Sequence, residues 1–145
     1  MSQALVQAKK AAQKGEVPIG AVAVLGGKKI AQAHNLSITR KDPTAHAEIV
    51  ALRRAAARLS NYRLGGIILY VTVEPCAMCA GAFVWARIAK VVYGARDPKA
   101  GALGSALDVR RAQLNHRFLV KRGVLEDECR QVLQDFFRKR RSLKR

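Results

Sequence analysis

The sequence is short of acidic residues, aromatics, cysteine and proline, and each shortage excludes something. Only 10 residues are Asp or Glu, against 27 Lys and Arg, so the chain carries a formal +17 at pH 7 and does not suit a cationic partner. Aromatics are 6% of the chain and prolines number four, which together with 11 glycines excludes collagenous and low-complexity classes. Three cysteines cannot all pair with one another, and the lysine-bearing, alanine-rich stretch Met1 to Val17 has no apolar core before a small-residue cleavage site. A reducing cytoplasm is therefore expected. No apolar run has the length of a membrane span, since Ile67 to Val73 already contains Thr72 and ends at Glu74. What remains is a globular composition, 50% hydrophobic and 26% charged, in 145 residues. That is the size of one domain able to bury a core without disulfides, and residues 1–145 are read as one domain with a basic C-terminal helix.

The cationic excess is spread along the chain, and such a surface attracts polyanions. It is densest at the end, where Arg138, Lys139, Arg140, Arg141, Lys144 and Arg145 continue a helical pattern beginning near Glu126. Leu125, Cys129, Val132, Leu133 and Phe136 form the expected buried stripe of that helix. Cations at a helix C-terminus also complement its dipole, but a net charge of +17 favours contact with nucleic acid.

The pattern predicts a helix over Gln3 to Lys14, a strand over Val17 to Val24, a turn at Gly26-Gly27 and a returning strand over Lys28 to His34. Asp42-Pro43-Thr44 offers a cap and a proline for a second helix, whose apolar face carries Ile49, Leu52, Ala55, Ala56 and Leu59. Ile67 to Val73 reads as a central strand covered on both faces, Cys76 to Arg87 as a third helix and Lys90 to Gly94 as a further strand. Strands alternating with helices predict right-handed crossovers and a largely parallel sheet entered by an antiparallel hairpin. Little structure is expected between Gly94 and Glu126.

Two short pieces carry chemistry: His46-Ala47-Glu48 and Pro75-Cys76-Ala77-Met78-Cys79. Cysteines three apart at a helix start lie about 60° from each other, and the helix dipole there favours thiolate. One imidazole nitrogen and two thiolates suit Zn²⁺ and leave a tetrahedral position for water, the arrangement of a catalytic site. Glu48 lies about 200° around a helix from His46, so the two converge only over the helix end. There the carboxylate reaches a metal-bound water, whose pKa falls from about 16 towards about 7, and shuttles its proton to a leaving group. Taken singly, Cys76 and Cys79 also fit a redox pair, and His46 a polar cap. The two motifs flank one central strand, which brings both helix starts to one sheet edge and favours the metal site.

These motifs resemble the H-x-E and P-C-x-x-C signature of the zinc-dependent cytidine/deoxycytidylate deaminase superfamily. The likeness extends through Glu16-Val17-Pro18-Ile19-Gly20-Ala21, Asp42-Pro43-Thr44-Ala45, Leu69-Tyr70-Val71-Thr72, Glu74-Pro75-Cys76, Gly94-Ala95-Arg96-Asp97, Asn115-His116-Arg117 and Asp135-Phe136-Phe137. It is similar to the bacterial tRNA-specific adenosine deaminases, the TadA family. The resemblance implies a three-layer α/β/α cytidine-deaminase-like fold, with a central five-stranded mixed sheet between helices, and a homodimer. It implies one Zn²⁺ per chain held by His46, Cys76 and Cys79, with Glu48 as the catalytic proton shuttle for attack on C6 of a flipped adenine. Asn35 matches a residue that hydrogen-bonds the nucleoside. Arg96, Asp97 and Lys99 match a loop holding the upstream nucleotide, and Phe137 and Arg138 match a helix at the anticodon loop.

Ala47 is an expected wall of the base pocket, while Val17 and Pro18 serve equally well in the core. The implied reaction is conversion of adenosine to inosine at the first anticodon position of an arginine tRNA, with no membrane partner. Single-stranded DNA is a further substrate if the chain serves in an engineered editor. Two other readings stay open: a deaminase of free guanine, cytosine or a nucleoside, and a zinc-containing RNA-binding subunit without activity. The cationic surface speaks against the first and Glu48 against the second. The chain departs from the family in lacking an aromatic-bearing lead before its first helix and in its heavier basic charge. Cys129 is expected as a small buried hydrophobe, and His34 and His116 as structural residues.

Overall fold

Apolar continuity decides the middle of the molecule. In the computed structural model, which describes residues 1–145, the run after Gly66 becomes β3 (Ile68–Val73), buried at the centre of a five-stranded sheet. The other strands are β1 (Gly20–Leu25), β2 (Lys28–His34), β4 (Lys90–Ala95) and β5 (Leu119–Lys121), in the order β2-β1-β3-β4-β5. β1 is antiparallel to both β2 and β3, whereas β3, β4 and β5 pair in parallel. Only β1 is reversed, so β2, β3 and β4 all finish at one edge of the sheet, where β1 begins. Doubly covered sheets of this kind place their sites at that edge.

The helices are α1 (Ser2–Gln13), α2 (Ala47–Leu59), α3 (Ala77–Ala86) and α4 (Glu126–Ser142). Helices α1 and α4 touch each other and the strands on one face, and α2 and α3 pack together on the other, giving three layers. Small residues set how closely they approach. A side chain at Gly94 would run into the Cys129 sulfur and the Thr72 carbonyl, so α4 sits directly on β4. The core joins Val50, Leu69, Val71, Phe83, Ile88 and Val91. Phe83 meets Phe118 edge-on, with ring centroids 5.7 Å apart, which fastens α3 to the start of β5.

Several boundaries differ from the sequence pattern. β1 starts at Gly20 rather than Val17, because Pro18 has no N–H for a ladder and the Ile19 N–H donates to the Val17 carbonyl in a turn. Asp42 does not cap α2: its carboxylate accepts from the backbone and hydroxyl of Thr44, and the helix begins five residues later with His46 at its cap position. α3 likewise begins at Ala77, with Cys76 at the cap. The segment after Gly94 is more ordered than the pattern predicts, since it holds a 3-10 turn at Val109–Arg111 and the edge strand β5. Of the stripe expected on α4, only Cys129 is fully buried, while Leu125, Val132, Leu133 and Phe136 are half-buried. At the opposite edge, the guanidinium groups of Arg54 and Arg58 on α2 reach over β2 and donate to the carbonyls of Gln32 and Ile30.

Candidate active site and metal centre

The N-terminal ends of two helices meet at the shared sheet edge. His46 is held in extended backbone at the start of α2, Cys76 occupies the same position on α3, and Cys79 lies in the first turn of α3. The His46 Nδ1 is 3.6 Å from the Cys76 sulfur and 3.5 Å from that of Cys79. One donor atom from each lies within 4.8 Å of the others, a nitrogen and two sulfurs in the spread a small cation draws together. This is the group in the structure that can hold a metal ion. His34 and His116 lie elsewhere, their rings bonded to the carbonyls of Asn35 and Ile88.

Electrostatics set the three donors apart. Cys79 donates to Cys76, which brings the Cys76 thiol down to about 4 and pushes that of Cys79 upwards. The bond to Cys76 also raises His46 above the ordinary imidazole range. A divalent cation bound by these three donors displaces their protons. Glu48, in the first turn of α2, is buried, and its Oε1 has no hydrogen-bond partner. Burial raises its carboxyl above the usual range. An unpartnered carboxyl oxygen costs stability, and a carboxyl that bears this cost beside such a donor set is a candidate for proton exchange.

Asn35, just after β2, is also buried, and its Oδ1 accepts the Ala47 backbone N–H at 2.8 Å. Ala47 itself is fully buried. The remaining candidates stand apart from this cluster. Arg96, Asp97, Lys99, Phe137 and Arg138 line a cavity of about 970 Å³ between the loop after β4 and α4. Its inner wall is Val17, Ile19 and Val73, while Pro18 is fully buried in the core. His46, Glu48, Cys76 and Cys79 do not line it; the two regions adjoin through Val73, three residues before Cys76, and through Ile19, whose carbonyl accepts the Asn35 N–H. Asp97 spends one carboxylate oxygen on the backbone N–H groups of Lys99 and Ala100, which makes it a turn residue as well as a cavity residue.

Arg130, Leu133, Gln134 and Arg141 complete the α4 wall; the sequence pattern put Leu133 in the buried stripe and Arg141 in the terminal basic cluster, and singled out neither Arg130 nor Gln134. Their signal was helical spacing with Phe137 and Arg138, hidden because the stripe was assigned to the core. Two buried carboxylates, Glu16 and Glu74, were given no role by the sequence pattern. Glu16 stands two residues before Pro18, and Glu74 immediately before Pro75.

The family model of MafB19-like deaminases matches residues 1–141. A tRNA-specific adenosine deaminase of Bacillus subtilis is 49% identical over all of this chain and 91% of its own length. That of Haemophilus influenzae is 50% identical over all of this chain and 85% of its own. The chain belongs to the tRNA-specific adenosine deaminases, within the MafB19-like deaminase family. A solved structure from work on A-to-I editing by tRNA:A34 deaminases at the wobble position superposes on this deaminase with a TM-score of 0.87. It is 46% identical and spans 92% of this chain and 97% of its own. Guanine deaminases share the fold less closely: that of Bacillus subtilis is 33% identical, with a TM-score of 0.63 over 79% of this deaminase and 83% of its own chain. No helix is long and apolar enough to cross a membrane.

Proposed function

We propose that this enzyme hydrolyses adenosine to inosine and ammonia at the wobble position of a tRNA, with Zn²⁺ held by His46, Cys76 and Cys79. The observation that carries the reading is the union of two features at one sheet edge. One is a nitrogen and two sulfurs within 4.8 Å beside a buried, unpartnered carboxyl; the other is an adjoining cavity walled by Arg96, Lys99, Arg130, Arg138 and Arg141. The high identity to tRNA-specific adenosine deaminases supports the choice of substrate.

Zinc, when bound, supplies Lewis-acid activation of water. Glu48 Oε1 takes a proton from the water that attacks C6 and delivers it to the departing amino group, so that ammonia leaves and the oxygen stays on the purine. Burial serves this exchange, because a carboxyl raised above its usual range both accepts and returns a proton readily. Asn35 has its Oδ1 committed to the Ala47 N–H, which leaves its amide N–H groups to donate to the nucleoside. The fully buried Ala47 packs the pocket wall and keeps water from the base. Arg96 and Lys99 face the phosphates, Asp97 orients the preceding nucleotide, and Phe137 with Arg138 stacks and pairs against the loop.

The acting unit is residues 1–145 as one deaminase domain, with α4 as its RNA-facing arm. An arginine tRNA in the cytoplasm is the natural substrate of this reading. A second copy covers the apolar outer face of α3, where Trp85 is 79% exposed beside Leu107 and Leu114. The deciding experiment incubates the zinc-loaded enzyme with an anticodon stem-loop bearing adenosine at its first anticodon position. Inosine is read as guanosine after reverse transcription, with free adenosine, guanine, cytidine and a single-stranded DNA loop alongside. Conversion of the RNA loop is expected; ammonia from a free base with the loop untouched overturns the substrate.

A further inference from the structure

Glu74 is the last residue before Pro75 and Cys76, and only 3% of it is exposed. A carboxylate this deep is expensive unless it is fully bonded. No cation pairs with it. Instead its two oxygens accept from the Asp97 N–H at 3.3 Å, the Leu103 N–H at 3.1 Å, the Ser105 N–H at 3.2 Å and the Ser105 hydroxyl. All of these donors belong to the loop that follows β4, the one carrying Asp97 and Lys99 into the cavity. The loop crosses directly over the carboxylate: a side chain at Gly101 would collide with the Glu74 carboxyl group. The Glu74 backbone N–H donates to the Ala95 carbonyl, and the Ala102 N–H donates to the Pro75 carbonyl. The strand end that carries Cys76 and the loop that carries Asp97 are thus clasped at one carboxylate.

We propose that Glu74 is a positioning residue that fixes the substrate-holding loop against the metal-binding strand end, and so sets how tightly the nucleic acid is held rather than how fast the bond is cleaved. This rests on reading the 97–105 loop as a substrate contact. Fully satisfied buried polar clusters select one arrangement of a chain, and this loop has no helix to hold it. Every bond to Glu74 is accepted, so both oxygens must be acceptors. Glutamine keeps the shape but turns an N–H towards N–H donors.

The test compares zinc-loaded wild type with Glu74→Gln, Ser105→Ala, Asp97→Ala and the Glu74→Gln/Asp97→Ala double variant. It measures zinc content, the KM and kcat for the stem-loop, equilibrium binding of the stem-loop, and hydrogen exchange of the loop amides. Glu74→Gln is expected to raise KM and weaken binding about tenfold, as for loss of a bond to a buried charge, with kcat within a factor of about two and zinc content unchanged. The amides of Asp97, Leu103 and Ser105 lose exchange protection while those of β3 keep theirs. In the double variant the two losses are less than additive, because both act through one loop. If Glu74→Gln does not fold, Ser105→Ala decides, with a KM about two to three times higher expected from losing one neutral donor. Unchanged KM and exchange in the Glu74→Gln variant, or in Ser105→Ala in its place, overturns the proposal while Asp97→Ala still weakens binding. No effect of Asp97→Ala on binding overturns the reading of the loop itself, and the role of Glu74 with it.

Discussion

The side-chain oxygen of Asn35 accepts the backbone N–H of Ala47 at 2.8 Å, so a residue at the end of a strand caps the helix that carries Glu48. One amide side chain therefore supports α2 through its oxygen, and its nitrogen is left for the substrate contact proposed above. Asn35→Ala should lower stability by about 1 kcal/mol, the usual worth of such a bond, and should also raise the KM for RNA. Asn35→Asp keeps the acceptor and loses the donors. Thermal melts should show Asp more stable than Ala, with activity low in both; full activity in the Asp variant would remove Asn35 from the nucleoside.

Replacing Glu48 separates chemistry from binding. Glu48→Gln should retain zinc and stem-loop affinity while turnover falls by about 10²–10⁴-fold or more. Its metal-free form carries a pH signature. Burial raises the folded-state pKa of Glu48 above the usual 4.5, so the folded state binds more protons than the unfolded one above that pH. Wild type should lose stability relative to Glu48→Gln as pH rises from about 4.5 through the raised value, with no such drift below it. Denaturant midpoints across this range give the answer, and a constant difference would mean that the carboxyl is not desolvated.

Metal retention should depend on pH in a direction set by His46. Its bond to Cys76 raises the imidazole above its ordinary value in the metal-free protein, so protons compete with zinc at a higher pH than for free imidazole. Zinc stoichiometry after dialysis at stepwise lower pH should fall as His46 protonates, and His46→Ala, Cys76→Ala and Cys79→Ala should each arrive without a full complement. Chelation should abolish activity and lower the melting temperature, both recovering with added zinc.

The α4 wall predicts a salt signature. Arg130→Ala and Arg141→Ala each remove one cation from the cavity rim. Each should weaken stem-loop binding at low salt and reduce the slope of log K against log salt by about 0.7 if it meets one phosphate of a single-stranded loop. Unaltered slopes would take the nucleic acid off α4.

Trp85 should report assembly. Wild type is expected to sediment as a dimer, and Trp85→Asp, placing a charge in the apolar outer face of α3, as a monomer. A monomeric wild type would leave that face for another partner.

What was legible in the sequence followed from locality. The donor pair Cys76 and Cys79, and the step from His46 to Glu48, lie within single turns of chain, where residue type and spacing carry the information. β3 announced itself by a nearly continuous apolar run, broken only at Thr72. β5 did not, because Leu119 to Lys121 is a three-residue edge piece whose place depends on distant partners: Phe118 against Phe83, and His116 bonded to the Ile88 carbonyl. The same non-locality hid Glu74, whose partners lie 23 to 31 residues further on. On α4 the periodicity was visible but its meaning was divided. Cys129 packs into the core, whereas Leu133 and Phe137 on neighbouring turns wall the cavity.

The arginines that reach over β2 bear on how this molecule meets its neighbours. An outer strand with open carbonyls is a template for another chain to zip onto, and a protein half hydrophobic in composition is exposed to that hazard. Arg54 and Arg58 occupy those acceptors and post positive charge along the rim, while the far side of the sheet closes with a strand only three residues long. Fibril-like stacking is thereby discouraged at both ends, which leaves side-chain surfaces such as the one around Trp85 for the association proposed above.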